Sequence, residues 1–127
     1  EDISAGYEVS VIRTDTAGNF LDRHDYNGFN GLGSLMKILR TRDGGFIMVG
    51  TSNQSERSAG VANTQVLLMK TDANLNKLWM KQFNTTYAAV GYDVFETRDG
   101  GYAVGVFERS FNKNFKMMIV KTDASGN

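Results

Sequence analysis

The chain has 127 residues, enough for one ordinary domain with a single core. Its 14 basic and 14 acidic residues balance, which argues against a nucleic acid or another polyanion as partner. Because it contains no cysteine, disulfides, thiolate metal sites and cysteine nucleophiles are excluded. No apolar run approaches the ~20 residues of a membrane-spanning helix, so we expect no membrane insertion. With 14 glycines and no proline, the composition indicates an all-β fold whose turns use Gly, Asn and Asp.

The first predicted elements are two strands within residues 7–26, joined by a turn that begins at Arg13-Thr14-Asp15. Val9 and Val11 alternate with polar residues, as in a strand with one buried face. Aspartate suits the turn because its carboxylate accepts hydrogen bonds from backbone N–H groups two residues further on. The motif returns as Lys70-Thr71-Asp72 and Lys121-Thr122-Asp123. We therefore expect the structural turn residues to include Asp15, Asp72 and Asp123.

A hairpin is the next predicted element. The turn Thr41-Arg42-Asp43-Gly44-Gly45 joins β-rich runs at residues 35–40 and 46–52, and glycine tolerates the positive φ that tight turns need. The motif recurs 56 residues later as Thr97-Arg98-Asp99-Gly100-Gly101, between runs at residues 92–97 and 102–108. The predicted structural residues of these two turns are Asp43, Gly44, Gly45, Asp99, Gly100 and Gly101.

Two further strands follow the first hairpin, at residues 65–70 and 77–83. With the strands labelled A to D, the chain divides into a partial unit C-D at residues 1–30, a complete unit A-B-C-D at 31–86 and a partial unit A-B-C at 87–127. The interval from Gly45 to Lys70 spans 25 residues, whereas that from Gly101 to Lys121 spans 20. The B–C connection is therefore the variable loop of the repeat, the kind of segment in which repeat proteins differ in function.

The pattern Thr-x-Asp-Gly-Gly-Tyr/Phe followed by Lys-Thr-Asp-x-x-Gly-Asn resembles the repeats of secreted bacterial and archaeal β-propellers over nearly the whole chain. Its Asp-turn-Trp portion is also similar to the Asp-box hairpin of sialidase-like propellers. The resemblance implies antiparallel four-stranded blades arranged radially, with strand A innermost. About two and a fraction blades make an incomplete propeller, so we expect the remaining blades to belong to a longer chain. Association with copies of itself and an open β array are the alternatives.

Several positions depart from the repeated pattern, two of them in the C–D hairpins. Leu75 stands where the other copies have Gly18 and Gly126, and Asp22 stands where the complete unit has Trp79. We expect Trp79 to pack between neighbouring blades, because burial of a large aromatic ring contributes several kcal/mol at ~25 cal/mol per Å². Lys70 is interpreted as a turn and surface residue.

One cluster could carry chemistry, Asp22-Arg23-His24-Asp25, which contains the only histidine. Asp22 and His24 share a strand face, so a carboxylate could orient the imidazole or both could bind a metal. However, a catalytic dyad needs a nucleophile and a metal site needs three or four ligands, which no motif supplies. The turn aspartates likewise offer too few ligands for calcium. A charged, solvent-facing strand is the favoured interpretation, with no catalytic residue, metal or cofactor.

These patterns favour a non-catalytic structural or interaction module of a secreted or cell-surface protein, with a protein or a glycan as partner. The D–A connections at residues 27–33 and 84–91 would lie on one face of a propeller, where we expect a ligand first. One alternative is a sialidase-like hydrolase with its catalytic residues outside this segment. Another is a homo-oligomer in which the C-D hairpin of one chain completes the A-B-C unit of the next. The fold alone does not decide among them.

Overall fold

The computed structural model describes residues 9–27, 33–54, 63–85, 87–109 and 114–127. These residues form nine β-strands and no helix, which confirms the all-β prediction. The strands are β1 (Val9–Thr14), β2 (Phe20–Tyr26), β3 (Gly33–Arg40), β4 (Phe46–Gln54), β5 (Asn63–Thr71), β6 (Lys77–Phe83), β7 (Ala88–Glu96), β8 (Tyr102–Arg109) and β9 (Phe115–Thr122).

The strands pair in sequence order into three antiparallel sheets. Sheet I contains β1 and β2, sheet II contains β3 to β6, and sheet III contains β7 to β9. Two, four and three strands follow the predicted order C-D, A-B-C-D and A-B-C. Strands β3 and β7 begin earlier than predicted, at Gly33 and Ala88. The predicted start of the first strand, at Tyr7, lies outside the described residues.

The repeat extends to irregularities of the backbone. A register shift interrupts the β3–β4 pairing between Leu35 and Lys37, and another interrupts the β7–β8 pairing between Gly91 and Asp93. These positions are 56 residues apart, the same spacing as the two Asp-Gly-Gly turns. Bulges of this kind bend a strand and increase its twist. Sheets II and III therefore share their local shape as well as their sequence pattern.

Sheet II is the middle layer, because its two faces contribute to two separate cores. The face towards sheet III contains Ile47, Val49, Val66 and Leu68 and packs against sheet III residues that include Ala89, Val94, Tyr102, Val104 and Val106. The face towards sheet I contains Met48, Leu67 and Met69, which cluster with Val9 and Tyr26 of sheet I and with Leu75. Strict alternation along β4 and β5 sends successive side chains into different cores, as the period of two in a strand requires.

The contact between sheets II and III is close. A Cβ atom added to Gly91 would lie 2.6 Å from Val49 Cγ2 and 2.9 Å from Val66 Cγ1. Glycine at position 91 therefore lets strand β7 approach sheet II to a distance that a side chain would prevent. Polar contacts border this interface, since Lys37 Nζ lies 3.1 Å from Asp93 Oδ1 and the Arg42 backbone N–H donates to Glu96 at 2.8 Å.

Candidate functional site

The antiparallel order gives the stack two unlike ends. At the turn end lie the short A–B turns at 41–45 and 97–101 and the C–D turns at 15–19, 72–76 and 123–127. At the loop end lie the B–C and D–A connections, of which residues 28–32, 55–62, 86 and 110–113 are outside the description.

The A–B turn of sheet II is organised around the carboxylate of Asp43. Asp43 Oδ1 accepts hydrogen bonds from Thr41 Oγ1 at 2.6 Å and from the Gly45 N–H at 2.9 Å. The backbone closes the turn, because the Gly44 N–H donates to Thr41 O at 2.9 Å. Gly44 has φ 86°, a conformation that glycine adopts without a steric cost. The sequence motif thus supplies each donor and acceptor of the turn.

A lysine at the end of the neighbouring strand, β5, binds the same carboxylate. Lys70 Nζ lies 2.9 Å from Asp43 Oδ2 and also donates to Thr71 O at 2.9 Å. These contacts join the A–B turn to the end of β5, and we call the group Thr41, Asp43 and Lys70 the clamp of sheet II. Hydrogen bonds from Thr41 and Lys70 hold the pKa of Asp43 well below its usual range. The interpretation of Lys70 as a surface residue is wrong, because only 3 % of it is exposed.

Sheet III contains the same clamp. Asp99 Oδ1 accepts from Thr97 Oγ1 at 2.5 Å and from the Gly101 N–H at 3.1 Å, and Lys121 Nζ lies 2.8 Å from Asp99 Oδ2. The hydrogen bond from Lys121, followed by that from Thr97, holds the pKa of Asp99 well below its usual range. Gly100 has φ 83°, matching Gly44. The two clamps therefore repeat atom for atom.

The three C–D turns are also alike. Asp15, Asp72 and Asp123 each accept two backbone N–H groups, from residues two and four positions further on, at 2.8–3.0 Å. A side-chain amide follows in each case, from Asn19, Asn76 and Asn127. These hydrogen bonds lower the pKa of all three carboxyl groups. The structure places all nine predicted turn residues in turns, and each of the five aspartates accepts hydrogen bonds from its own turn.

Leu75 occupies the left-handed position of the middle C–D turn. Its φ is 65°, against 86° at Gly18 and 81° at Gly126 in the other copies. A non-glycine residue in this region costs about 1 kcal/mol. The side chain is buried in the core between sheets I and II, and the Tyr26 hydroxyl donates to its carbonyl oxygen at 2.7 Å. Burial of a leucine contributes about 1.5–3 kcal/mol and so offsets the conformational cost.

The cluster around His24 consists of local ion pairs. Arg13 is directly opposite Asp22 in the β1–β2 ladder and binds its carboxylate through both Nε and Nη2. Asp25 accepts from Arg23 Nε at 2.6 Å and from Ser10 Oγ at 2.6 Å. His24 Nε2 lies 3.8 Å from Asp22 Oδ1, beyond hydrogen-bonding distance. Among the described residues, no group of three His, Cys, Asp or Glu side chains is placed to hold a metal.

The loop end carries buried polar groups that the sequence reasoning missed. Ser52 and Gln65 are paired across β4 and β5, and both are buried. The Gln65 side-chain amide donates to Asn84 Oδ1, and the Tyr87 N–H donates to Glu108 at 3.2 Å. Within the described part of the chain, Thr51 Oγ1, Ser52 Oγ and Gln65 Oε1 have no hydrogen-bond partner. The polar residues at the loop end of β4, an otherwise apolar strand, were the sequence signal that could have indicated this group.

Trp79 lies between sheets II and III. Its ring centroid is 5.9 Å from that of Tyr102, and its side chain borders the core that the two sheets share. A Cβ atom added to Gly126 would lie 2.7 Å from Trp79 Cζ3. Burial, together with the nearby carboxylates of Glu96 and Asp43, raises the pKa of Tyr102 to about 12. The aromatic pair therefore seals the turn end of the interface.

Comparison with protein families and with curated proteins gave no match. In the described part of the chain, no helical segment has the length and hydrophobicity needed to cross a membrane.

Proposed function

We propose that this chain is a non-catalytic segment of a β-propeller-type repeat protein of the cell surface or the secreted fraction, and that it serves as a structural and interaction module for a protein or glycan partner. The observation that carries the proposal is the stack itself. Three sheets with equivalent strands face one another through apolar cores, and the same clamp recurs in two of them. Stacked units that contact only their neighbours are typical of repeat scaffolds.

The loop end is the proposed interaction surface. Within each turn at the turn end, the backbone and aspartate hydrogen bonds join donors and acceptors that belong to the repeated motifs. The loop end instead carries the connection whose length varies between repeats, and Thr51, Ser52 and Gln65, whose buried polar atoms lack hydrogen-bond partners, lie in β4 and β5 near that connection. Binding residues are commonly found on loops that a rigid scaffold positions. The contrast between a turn end closed by local hydrogen bonds and a loop end of variable length therefore supports recognition at the loop end.

A binding role is favoured over catalysis because the charged side chains are engaged in local pairs. Asp22, Asp25, Asp43 and Asp99 bind Arg13, Arg23, Lys70 and Lys121 respectively. A general acid or base needs a pKa near the working pH, whereas hydrogen bonds lower the pKa of each of the four carboxyl groups, chiefly those from Arg13 to Asp22, from Ser10 to Asp25, from Thr41 to Asp43 and from Lys121 to Asp99. The alternative, a sialidase-like hydrolase, would have to take its catalytic residues from outside this segment.

Binding of the purified chain to a glycan array tests the proposal, with chromogenic glycosides assayed in parallel. We expect binding without hydrolysis, lost in Asn84→Ala at the loop end and retained in Asn74→Ala at the turn end. Both asparagines are exposed, so the pair is matched for exposure. Binding abolished only by Asn74→Ala would contradict the assignment of the loop end. Hydrolysis that disappears in Asp22→Asn or His24→Ala would contradict the non-catalytic assignment.

A further inference from the structure

The outer face of sheet III is an exposed apolar surface. Phe95, Phe107, Phe115, Met117 and Ile119 lie on this face, opposite to the side that packs on sheet II. Met117 is 88 % exposed and Ile119 is 77 % exposed. The rings of Phe107 and Phe115 stack with centroids 5.1 Å apart, so the side chains form one continuous patch. An apolar patch of this kind on a soluble protein marks a contact surface.

The internal repeat shows which residues of sheet II are equivalent to those on this exposed face. Lys121 is equivalent to Lys70, and the same spacing makes Met117 and Ile119 equivalent to Val66 and Leu68. Val66 and Leu68 are fully buried, because sheet III covers them. On strand A the equivalent of Phe95 is Leu39, which packs against the same core. The exposed positions of Met117, Ile119 and Phe95 on sheet III therefore have counterparts in sheet II that contribute to the core shared with sheet III.

The covering surface has a defined chemistry. Sheet III presents small and medium apolar side chains to sheet II, from Ala89 and Val94 on β7 to Val104 and Val106 on β8. At the turn end it presents the carboxylate of Glu96, which receives both the backbone N–H and the side chain of Arg42. Arg98 is the equivalent of Arg42 on sheet III and is exposed. The face of sheet III therefore repeats the apolar surface and the cation that sheet II offers to its partner.

We propose that the outer face of sheet III binds one further antiparallel sheet of this same repeat. Its strand A would place small apolar residues over Met117 and Ile119, and an acidic residue at the end of that strand would bind Arg98. A second copy of this chain does not fit, because the matching surface in the described part of the chain, formed by residues such as Ala89 and Val104, is already covered by its own sheet II. The proposal rests on the repeat architecture of the proposed function, and is independent of the loop-end ligand.

The chain allows a direct test by extension. Asn127 is equivalent to Asn76, so a second copy of residues 77–127 appended after Asn127 continues the repeat in register. The extension supplies a strand D for sheet III and a new A-B-C sheet behind it. Because the chain has no cysteine, a single Met117→Cys substitution gives a thiol whose labelling rate reports exposure at that position. The matched control is Asn74→Cys, in an exposed turn remote from the extension.

We expect the Met117→Cys thiol to react at least about tenfold more slowly in the extended chain than in the parent, since labelling then requires local opening of the interface. The Asn74→Cys thiol should react equally in both. Equal labelling of Met117→Cys in the two chains, with the added strands shown to be folded by circular dichroism, would overturn the proposal. So would protection in the parent accompanied by a dimer mass in light scattering, which would make a second copy the occupant. Glycan binding has no part in these readouts, so the two proposals can fail separately.

Discussion

The clamps of sheets II and III contain the same residues at nearly the same distances, yet their surroundings differ. Lys70 and Lys121 lie 2.9 Å and 2.8 Å from their carboxylates, but the side chain of Lys70 is 4 % exposed and that of Lys121 is 47 % exposed. The difference follows from the neighbouring layer, because sheet III covers the face of sheet II on which Lys70 lies. Local sequence thus determines the geometry of a clamp, while the adjacent sheet determines how strongly it contributes to stability.

The same comparison extends to the apolar residues two positions before each lysine, and a substitution there should have the largest effect. We expect Leu68→Ala to lower the free energy of unfolding by about 3 kcal/mol, because it creates a cavity in a packed core. Ile119→Ala, at the equivalent exposed position, should change it by less than about 0.5 kcal/mol. Urea unfolding followed by circular dichroism measures both. Similar losses for the two variants would show that Ile119 is covered in solution.

Removing the clamp carboxylates should have the next largest effect. Asp43→Asn leaves the ammonium group of buried Lys70 without its counter-charge, and since Asp43 itself is partly solvated we expect a loss of about 2 kcal/mol. Asp99→Asn leaves an ammonium group that water can reach, so its loss should be clearly smaller. The two variants are compared by the same urea titrations. Equal destabilisation would mean that burial of Lys70 adds nothing to the clamp.

Acid should reduce the difference in unfolding free energy between the parent chain and Asp43→Asn. The folded state holds the pKa of Asp43 below its unfolded value, so the clamp's contribution is complete above about pH 4 and is lost as the pH falls through the folded pKa. We therefore expect a constant difference in unfolding free energy from pH 7 to about pH 5, and a decreasing one below pH 4. Urea titrations at pH 7, 5, 4 and 3 test this. A difference that grows in acid would contradict the lowered pKa.

The smallest expected effect concerns the contact between sheets I and II. Tyr26→Phe removes the hydroxyl that donates to the Leu75 carbonyl, and we expect a loss of about 1 kcal/mol, typical of one buried hydrogen bond. Tyr92→Phe, at a half-exposed tyrosine of sheet III, should cost less than about 0.5 kcal/mol. Thermal or urea unfolding of the two variants gives the comparison. A larger loss for Tyr92→Phe would argue that the outer face of sheet III is engaged.

Much of the strand order could be predicted from the sequence, because its signals are local. Asp-Gly-Gly contains the donors, the acceptor and the left-handed glycine of a tight turn, so each hairpin is encoded within a few residues. The C–D turns are encoded in the same way by an aspartate and the residues that follow it. Antiparallel pairing of consecutive strands then follows from short connections.

What the sequence did not reveal depends on contacts between layers. The burial of Lys70 requires sheet III, which begins many residues later, and no local pattern distinguishes Lys70 from Lys121. The pairing of Arg13 with Asp22 lies within sheet I and depends instead on the cross-strand register of β1 and β2. In sheet II the same two positions are Lys70 and Trp79, again directly opposite each other. Both residues of this cross-strand pair therefore differ between sheets I and II, a joint change that is visible only once the register is known.

The residue at the left-handed position of the C–D turn makes the contacts between successive sheets different from one another. At Gly126 the ring of Trp79 in the preceding sheet leaves no room for a side chain. One repeat earlier, the equivalent pair is Leu75 and the smaller Asp22, and Leu75 is accommodated and buried. A leucine at position 126 would therefore collide with Trp79, whereas a glycine at position 75 would leave a void. Neighbouring repeats are matched in shape and are not interchangeable, which disfavours misassembly in which an identical-looking unit docks in the wrong place.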